Sequence, residues 1–193
     1  MVVITNKNLC KDDFLTRIEI IAKQKPKAII LREKELNHEE FHALAKKIKN
    51  ICEKYETTFF INSKIDIAKD LNIKNIQLSF EDFVKNRDFL SDFSQISVSI
   101  HSLNEALFLQ DFPICFLIAG HIFETSCKLG LEPKGLKFLE DICNNSKLDI
   151  YAIGGINQDN FRYVLNAGAK NFCIMSEAMI YKNIEKLKDR YIY

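Results

Sequence analysis

Ile118–Lys128 reads IAGHIFETSCK. The stretch leaves an apolar run, Cys115 to Ala119, passes through Gly120, and at once delivers a histidine, an acid, two hydroxyls, a thiol and a lysine. A buried β-strand aims whatever follows its C-terminal end into a shared crevice, so such a cluster has the look of a catalytic edge in a parallel α/β fold. His121 stands at the centre of that edge and is the candidate catalytic residue.

Outward from this stretch, short runs rich in Val, Ile, Phe and Leu recur at Val2–Thr5, Ala28–Arg32, Thr58–Asn62, Asn75–Ser79, Ile96–His101, Cys115–Gly120, Ile150–Gly154 and Asn171–Met175. Between them lie stretches with helical spacing, for example Phe41, Leu44, Ala45 and Ile48, or Phe161, Val164 and Leu165. The fourth connection, Phe80 to Gln95, is ambiguous. Near-continuous apolar strands separated by helices mean a parallel sheet covered by helices, and eight such repeats predict one compact (β/α)8 TIM barrel over residues 1–193. Length is the tension: a barrel usually runs to roughly 250 residues. Here about 24 residues per unit leave room for a short strand, a short helix and tight loops. A flavodoxin-like or Rossmann sheet with extra strands is the competing architecture.

All six glycines lie in the second half of the chain. Gly130, Gly135, Gly154 and Gly155 fall in the loops after strands six and seven, and Gly168 ends a helix. The pair Gly154-Gly155, followed by Ile156 and the helix cap expected at Asn157, would let backbone amides approach an anion. Loops after strands seven and eight are the habitual phosphate site of barrels, and strand eight ends in Met175-Ser176, adding an amide and a hydroxyl. A phosphate monoester ligand follows from this reading; a tight turn before a helix is the plainer one.

Lys and Arg number 27 against 26 Asp and Glu, a formal net charge of +1. So even a balance supplies no electrostatic footprint for nucleic acid or an anionic membrane and points to a small-molecule partner. Met1 runs straight into Val2-Val3-Ile4, and no run of about 18 apolar residues occurs, so the expectation is a cytoplasmic protein. Six cysteines form no CxxC pair, and several sit inside apolar runs, which reads as reduced and mostly structural. His38-Glu39-Glu40-Phe41-His42 matches the H-E-x-x-H spacing of zinc peptidases. Asn37, three residues before Glu40 and just ahead of an apolar face, makes it a helix start instead, and no third ligand is suggested downstream.

The segment GHIFETSCKLGLEPKGL, Gly120 to Leu136, closely resembles the same region of the thiazole tautomerases, the TenI-like branch of the thiamine phosphate synthase superfamily. IILREK (Ile29–Lys34), FFINSKIDIA (Phe59–Ala68), SVSIHSLNEA (Ser97–Ala106), AIGGI (Ala152–Ile156) and IMSEAM (Ile174–Met179) agree with that superfamily in the same order, each at an expected strand end. The resemblance implies a (β/α)8 barrel, a thiazole phosphate ligand, a homodimer and a place in thiamine biosynthesis.

Synthases resembling this chain hold Mg²⁺ with an Asn-Asp pair after strand three and an acid after strand four. Here the pair reads Asn62-Ser63, leaving Asp82 as the residual metal candidate. A hydroxyl cannot replace the anionic oxygen that Mg²⁺ prefers. The synthase glutamine two residues before the arginine of the R-E-K motif is Ile30, and the P-T-x-T-K type loop has become Glu124-Thr125-Ser126-Cys127-Lys128. Arg32 and Lys34 remain, so pyrophosphate binding is not lost altogether.

By resemblance, the tautomerase moves one proton on a carboxylated thiazole phosphate, from the ring carbon bearing the carboxylate to an exocyclic carbon, and the ring becomes aromatic. Such a shift needs no metal and no cofactor, only a base that returns the proton, and histidine titrates where that works. His121 matches the family's catalytic histidine; a histidine satisfied by a backbone carbonyl is the plain alternative. His101, ending strand five ahead of Ser102 and Glu105, is the rival base or merely the approach to a helix start. Arg32, Lys34, Asn62, Ser99, Gly154, Gly155 and Ser176 are the expected substrate and phosphate contacts, while Thr125, Ser126 and Lys128 are candidates for orienting the substrate carboxylate. The alternatives are a thiamine phosphate synthase, which would need Mg²⁺, and a non-catalytic ligand-binding or regulatory homologue.

Overall fold

The computed structural model describes residues 1–128 and 130–191. Eight strands follow one another in sequence order around a closed barrel. They are β1 (Val2–Ile4), β2 (Ala28–Leu31), β3 (Phe59–Asn62), β4 (Asn75–Ser79), β5 (Gln95–Ile100), β6 (Phe116–Gly120), β7 (Ile150–Ile153) and β8 (Asn171–Ile174). Each lies within one residue of its expected bounds. Pairing is parallel, with registers such as Val3 to Ile29, Ile30 to Phe60, Ser99 to Ile118 and Ala119 to Ala152. The fold is a (β/α)8 TIM barrel, and the open-sheet alternative is overturned by closure.

The intervening helices are α1 (Phe14–Lys23), α2 (His38–Lys54), α3 (Ile65–Asp70), α4 (Phe80–Asn86), α5 (Leu103–Leu109), α6 (Gly135–Asn145), α7 (Phe161–Asn166) and α8 (Ser176–Ile180). The ambiguous fourth connection holds α4 and a 3-10 turn, Arg87–Phe89. The short length is absorbed in the helices: α3 and α7 have six residues and α8 has five. No helix among the described residues is long and apolar enough to cross a membrane.

Two compact units make up the chain: Met1–Ile76 with Met175–Tyr193, and Gln77–Ile174. In the first, Val2, Val3, Ile29 to Leu31, Phe60 and Ile61 are buried strand residues, and Ile18, Ile21, Phe41 and Ile48 are the buried faces of α1 and α2. In the second, Leu78, Val98, Leu117, Ala119 and Ala152 play the strand part, and Ala106, Leu139, Ile142 and Val164 the helical one. All six cysteines are free thiols. Burial pushes the thiols of Cys52 and Cys173 up to about 12, whereas Cys127 is exposed.

The H-E-x-x-H segment resolves as a helix start. Asn37 Oδ1 accepts from the Glu40 N–H at 2.9 Å, and Glu40 Oε2 accepts from the Asn37 N–H at 3.1 Å, a complete capping box. His38 and His42 face α3, where their Nε2 atoms meet Asp66 at 2.8 Å and Asp70 at 2.6 Å. Each imidazole has its own carboxylate, and among the described residues no three His, Cys, Asp or Glu side chains gather where they could hold a metal.

Arg17 ties α1 to the C-terminal segment. Its guanidinium, 4% exposed, donates to both Asp12 carboxylate oxygens at 2.7 and 2.6 Å and to the carbonyls of Ala178 and Tyr181 at 3.0 and 3.1 Å. The bond to Arg17 holds the Asp12 carboxyl down at about 2, against an ordinary 3.8. A carboxyl depressed on folding adds stability above its ordinary range and loses it as the pH falls through its folded value. Asp12→Asn should therefore lower Tm at pH 7 by about 2–4 °C, solvent around the half-exposed Asp12 keeping the loss modest. The gap to the parent protein should narrow between pH 4 and pH 2 in thermal scans. A gap independent of pH would mean that packing, not charge, is what the substitution removed.

Candidate functional site

Within the second unit, β6 is buried along its whole length and delivers His121 directly after Gly120. The peptide bond joining them is cis. His121 is 6% exposed, and its Nε2 lies 3.2 Å from the carbonyl oxygen of Leu131. A carbonyl only accepts, so Nε2 carries the proton, and Nδ1 is the nitrogen left with a lone pair for proton abstraction. This geometry contains both readings of the sequence: a carbonyl-satisfied histidine is also one whose tautomer is set.

Backbone bonds weld the exit of β6 to that of β7. The Ile122 N–H donates to the Ile153 carbonyl at 2.9 Å and the Phe123 N–H to the Gly154 carbonyl at 3.0 Å. The loop then leaves and returns, the N–H groups of Lys134 and Gly135 donating to the carbonyls of His121 and Ile122 at 2.9 and 3.1 Å. Gly154 sits at φ +105° with the space of its missing Cβ only 2.3 Å from the His121 Cβ. Gly155 sits at φ +64°, and a Cβ there would fall 2.3 Å from the Glu124 carbonyl oxygen. Both glycines are demanded by backbone conformation and by close approach of the His121 loop, whatever ligand their amides meet.

The expectation that Asn157 caps the following helix is corrected. Helix α7 begins only at Phe161, because the Asn160 side chain folds the segment back on itself. Its Oδ1 accepts from the Asn157 N–H at 2.8 Å, and its Nδ2 donates to the Gly155 carbonyl at 2.9 Å. The N-terminus of α7 therefore does not stand directly behind the glycine pair.

Thr125, Ser126 and Lys128 line one cavity of about 630 Å³, together with Glu124, Leu131 and Pro133. Thr125 Oγ1 accepts from the Cys127 N–H at 3.3 Å, which shapes the 3-10 turn Ser126–Lys128. Leu131, whose carbonyl holds His121, is a wall of this cavity, so the cavity and the imidazole share one loop residue. Leu129 of the resemblance segment lies outside the described residues.

Ser99, near the end of β5, accepts at Oγ from Gln77 Nε2 at 2.9 Å. Gln77, 4% exposed, is a site residue that the sequence reading missed. Its signal was a long polar side chain between the apolar Ile76 and Leu78 of a buried strand, which needs an internal partner. His101 follows β5, and its Nδ1 stands 2.8 Å from the Gly120 carbonyl oxygen. Asp82 occupies the first turn of α4, where its N–H donates to the capping Ser79 Oγ at 3.0 Å.

In the first unit, Arg32 directly follows β2, Asn62 ends β3, and Ser176 opens α8 shortly after β8. A second missed group anchors the R-E-K segment. Glu33 is buried, its Oε1 accepting from the Thr5 hydroxyl at 2.6 Å and its Oε2 from the Lys7 N–H at 2.8 Å. Thr5 Oγ1 in turn accepts from the Arg32 N–H at 3.0 Å. Arg32 and Lys34 thus flank a fixed carboxylate, with Lys34 exposed. Ser63 adopts φ +60°, a left-handed conformation that asparagine and aspartate tolerate better than most residues. Ile30 is fully buried and offers no polar contact.

Comparison with known proteins matches these features to one family. The family model described as "Thiamine monophosphate synthase" matches residues 1–178. The thiamine-phosphate synthase of Clostridium acetobutylicum is 31% identical over 191 residues, covering 97% of this chain and 89% of that protein. That of Campylobacter jejuni is 34% identical over 159 residues, covering 81% and 74%. The thiamine phosphate pyrophosphorylase of Pyrococcus furiosus superposes with a TM-score of 0.85 at 27% identity, covering 98% of this chain and 91% of that one. With the barrel, the order of its strand-end motifs and a family match over nearly its whole length, the chain belongs to the thiamine monophosphate synthase family.

Proposed function

We propose that this family member is a thiazole tautomerase of thiamine biosynthesis, acting on a carboxylated thiazole phosphate without a metal. The observation that carries the reading is His121: a buried imidazole at the exit of β6, with Nε2–H given to the Leu131 carbonyl and Nδ1 left as a base. Nδ1 takes the proton from the ring carbon that bears the carboxylate. The electron pair of the broken C–H bond becomes a ring double bond, the exocyclic double bond opens, and its outer carbon receives the proton back from Nδ1. Histidine does both halves because it gains and loses a proton near neutral pH. Lys128, with Thr125 and Ser126, lines the cavity beside Leu131 and supplies a cation and hydroxyls for the substrate carboxylate. Arg32, Asn62, Ser99, Gly154, Gly155 and Ser176 are assigned to the rest of the substrate and its phosphate.

A second reading is a thiamine phosphate synthase, joining a hydroxymethylpyrimidine pyrophosphate to the thiazole phosphate. It is favoured by the names of the relatives and by retention of Arg32 and Lys34 for a pyrophosphate. Mg²⁺ fits the residues poorly, since Ser63 brings a neutral hydroxyl where an acid is needed and only Asp82 remains charged. Two assays on the purified protein separate the readings: aromatisation of the thiazole tautomer followed by ultraviolet absorbance, and condensation of the two phosphates with Mg²⁺ present. Robust condensation without aromatisation would put the synthase first.

For His121, glutamine is the informative replacement, because its side-chain amide can keep the hydrogen bond to Leu131 while offering no base. His121→Gln should slow aromatisation by roughly 10²- to 10⁴-fold and leave the product dissociation constant nearly unchanged, as measured by calorimetry. Near-normal turnover would remove His121 from the chemistry. For the metal, Ser63→Asp should raise Mg²⁺ affinity without loss of Tm, because the left-handed backbone at this position suits aspartate. Tight Mg²⁺ binding already in the unmodified protein would count against the tautomerase.

A further inference from the structure

We infer that His101 is a positioning residue for His121, acting through the Gly120 carbonyl, and is not a second base. The inference rests on the reading that His121 carries the proton. Strands β5 and β6 pair Ile100 with Ala119, so the next step along each chain brings His101 alongside Gly120. There the His101 ring reaches across, and Nδ1 lies 2.8 Å from the Gly120 oxygen. The acceptor is a carbonyl, so Nδ1 is the protonated nitrogen and the ring serves as a donor.

The donor is itself held. The His101 N–H donates to Glu105 Oε2 at 2.6 Å, and the Glu105 N–H donates to Ser102 Oγ at 3.2 Å, so the first turn of α5 grips the backbone from which the ring projects. A carbonyl and the next residue's amide share one plane. Fixing the Gly120 oxygen therefore fixes the direction in which the Cα–Cβ bond of His121 leaves the chain. The other constraints on His121 come from different sides: Leu131 on its ring, Lys134 on its carbonyl, and Gly154 packed against its Cβ. Without the His101 bond, the Gly120 carbonyl is the corner of this frame left unpinned by a side chain.

Two substitutions separate positioning from chemistry. Asparagine places an amide N–H near the position of imidazole Nδ1, keeps the bond to Gly120 and cannot titrate. Leucine fills similar space and donates nothing. His101→Leu should cut kcat about 10- to 100-fold, the scale of a misplaced catalytic group, with KM and product affinity little altered. His101→Asn should restore most of kcat and reproduce the parent pH–rate profile. In protein labelled with ¹⁵N-histidine, the His121 ring signals should move in the leucine variant and stay in the asparagine variant, a readout that a merely structural role elsewhere would not change. Should leucine unfold the barrel edge, His101→Ser, too short to reach Gly120, carries the same expectation.

Equal losses of kcat in the asparagine and leucine variants, with a limb of the pH profile missing in both, would make His101 a proton carrier and overturn the inference. Unchanged kcat in both would overturn it as well. The proposed function fails on a different result, normal aromatisation by His121→Gln, so the two failures are distinguishable.

Discussion

The exit of β6 has to lie against the exit of β7, and the functional half of the chain is arranged around that contact. Gly154 meets the His121 Cβ, and Gly155 meets the Glu124 carbonyl, at distances where any side chain would collide with backbone. Two backbone hydrogen bonds, from Ile122 and Phe123, hold the approach in place. The loop beyond Phe123 can then close on itself, return through Lys134 and Gly135, and put the Leu131 carbonyl over the imidazole. Ring tautomer, loop path and cavity wall all follow from one pair of residues without Cβ atoms.

The strands were legible because buried parallel strands must be apolar on both faces, and that leaves a dense, easily bounded signal. The strand ends were legible for the complementary reason: at Arg32, Asn62, His121 and Ser176 the apolar run stops and polar chemistry begins. Closure needed all eight runs to be counted, since no single one distinguishes a barrel from an open sheet. The capping box at Asn37 and Glu40 could be read because it is local, three residues wide. The long-range partners could not. Nothing within 20 residues of Glu33 announces that Thr5 and Lys7 will satisfy it, and nothing near His101 announces the Gly120 carbonyl. Asn157 misled for a related reason. A capping residue followed by an apolar period looks the same whether the helix starts at once or, as here, after Asn160 has folded the chain back.

The family relation and the fold leave the chemistry to particular residues, as is general for barrels that host many reactions. Ile30 and Ser63 stand where a synthase resembling this chain would carry polar or charged groups, and the relatives carry the name of the synthase. Buried Glu33 shows that the R-E-K segment is nonetheless built to a fixed shape, with its carboxylate accepting two hydrogen bonds instead of facing solvent. A scaffold can thus keep its cationic pair while the rest of an old metal pocket turns apolar.

The unequal burial of the thiols has a kinetic consequence. Alkylating reagents attack thiolate, and a thiol held near 12 is ionised in only about one molecule in 10⁵ at neutral pH. Cys52 and Cys173 are in that position and are shielded by packing as well, while Cys127 projects from the same 3-10 turn whose neighbours Ser126 and Lys128 line the cavity. A short exposure to maleimide will therefore modify Cys127 far ahead of the two core thiols. The fluorophore so placed would report directly on the environment of the loop that carries Leu131.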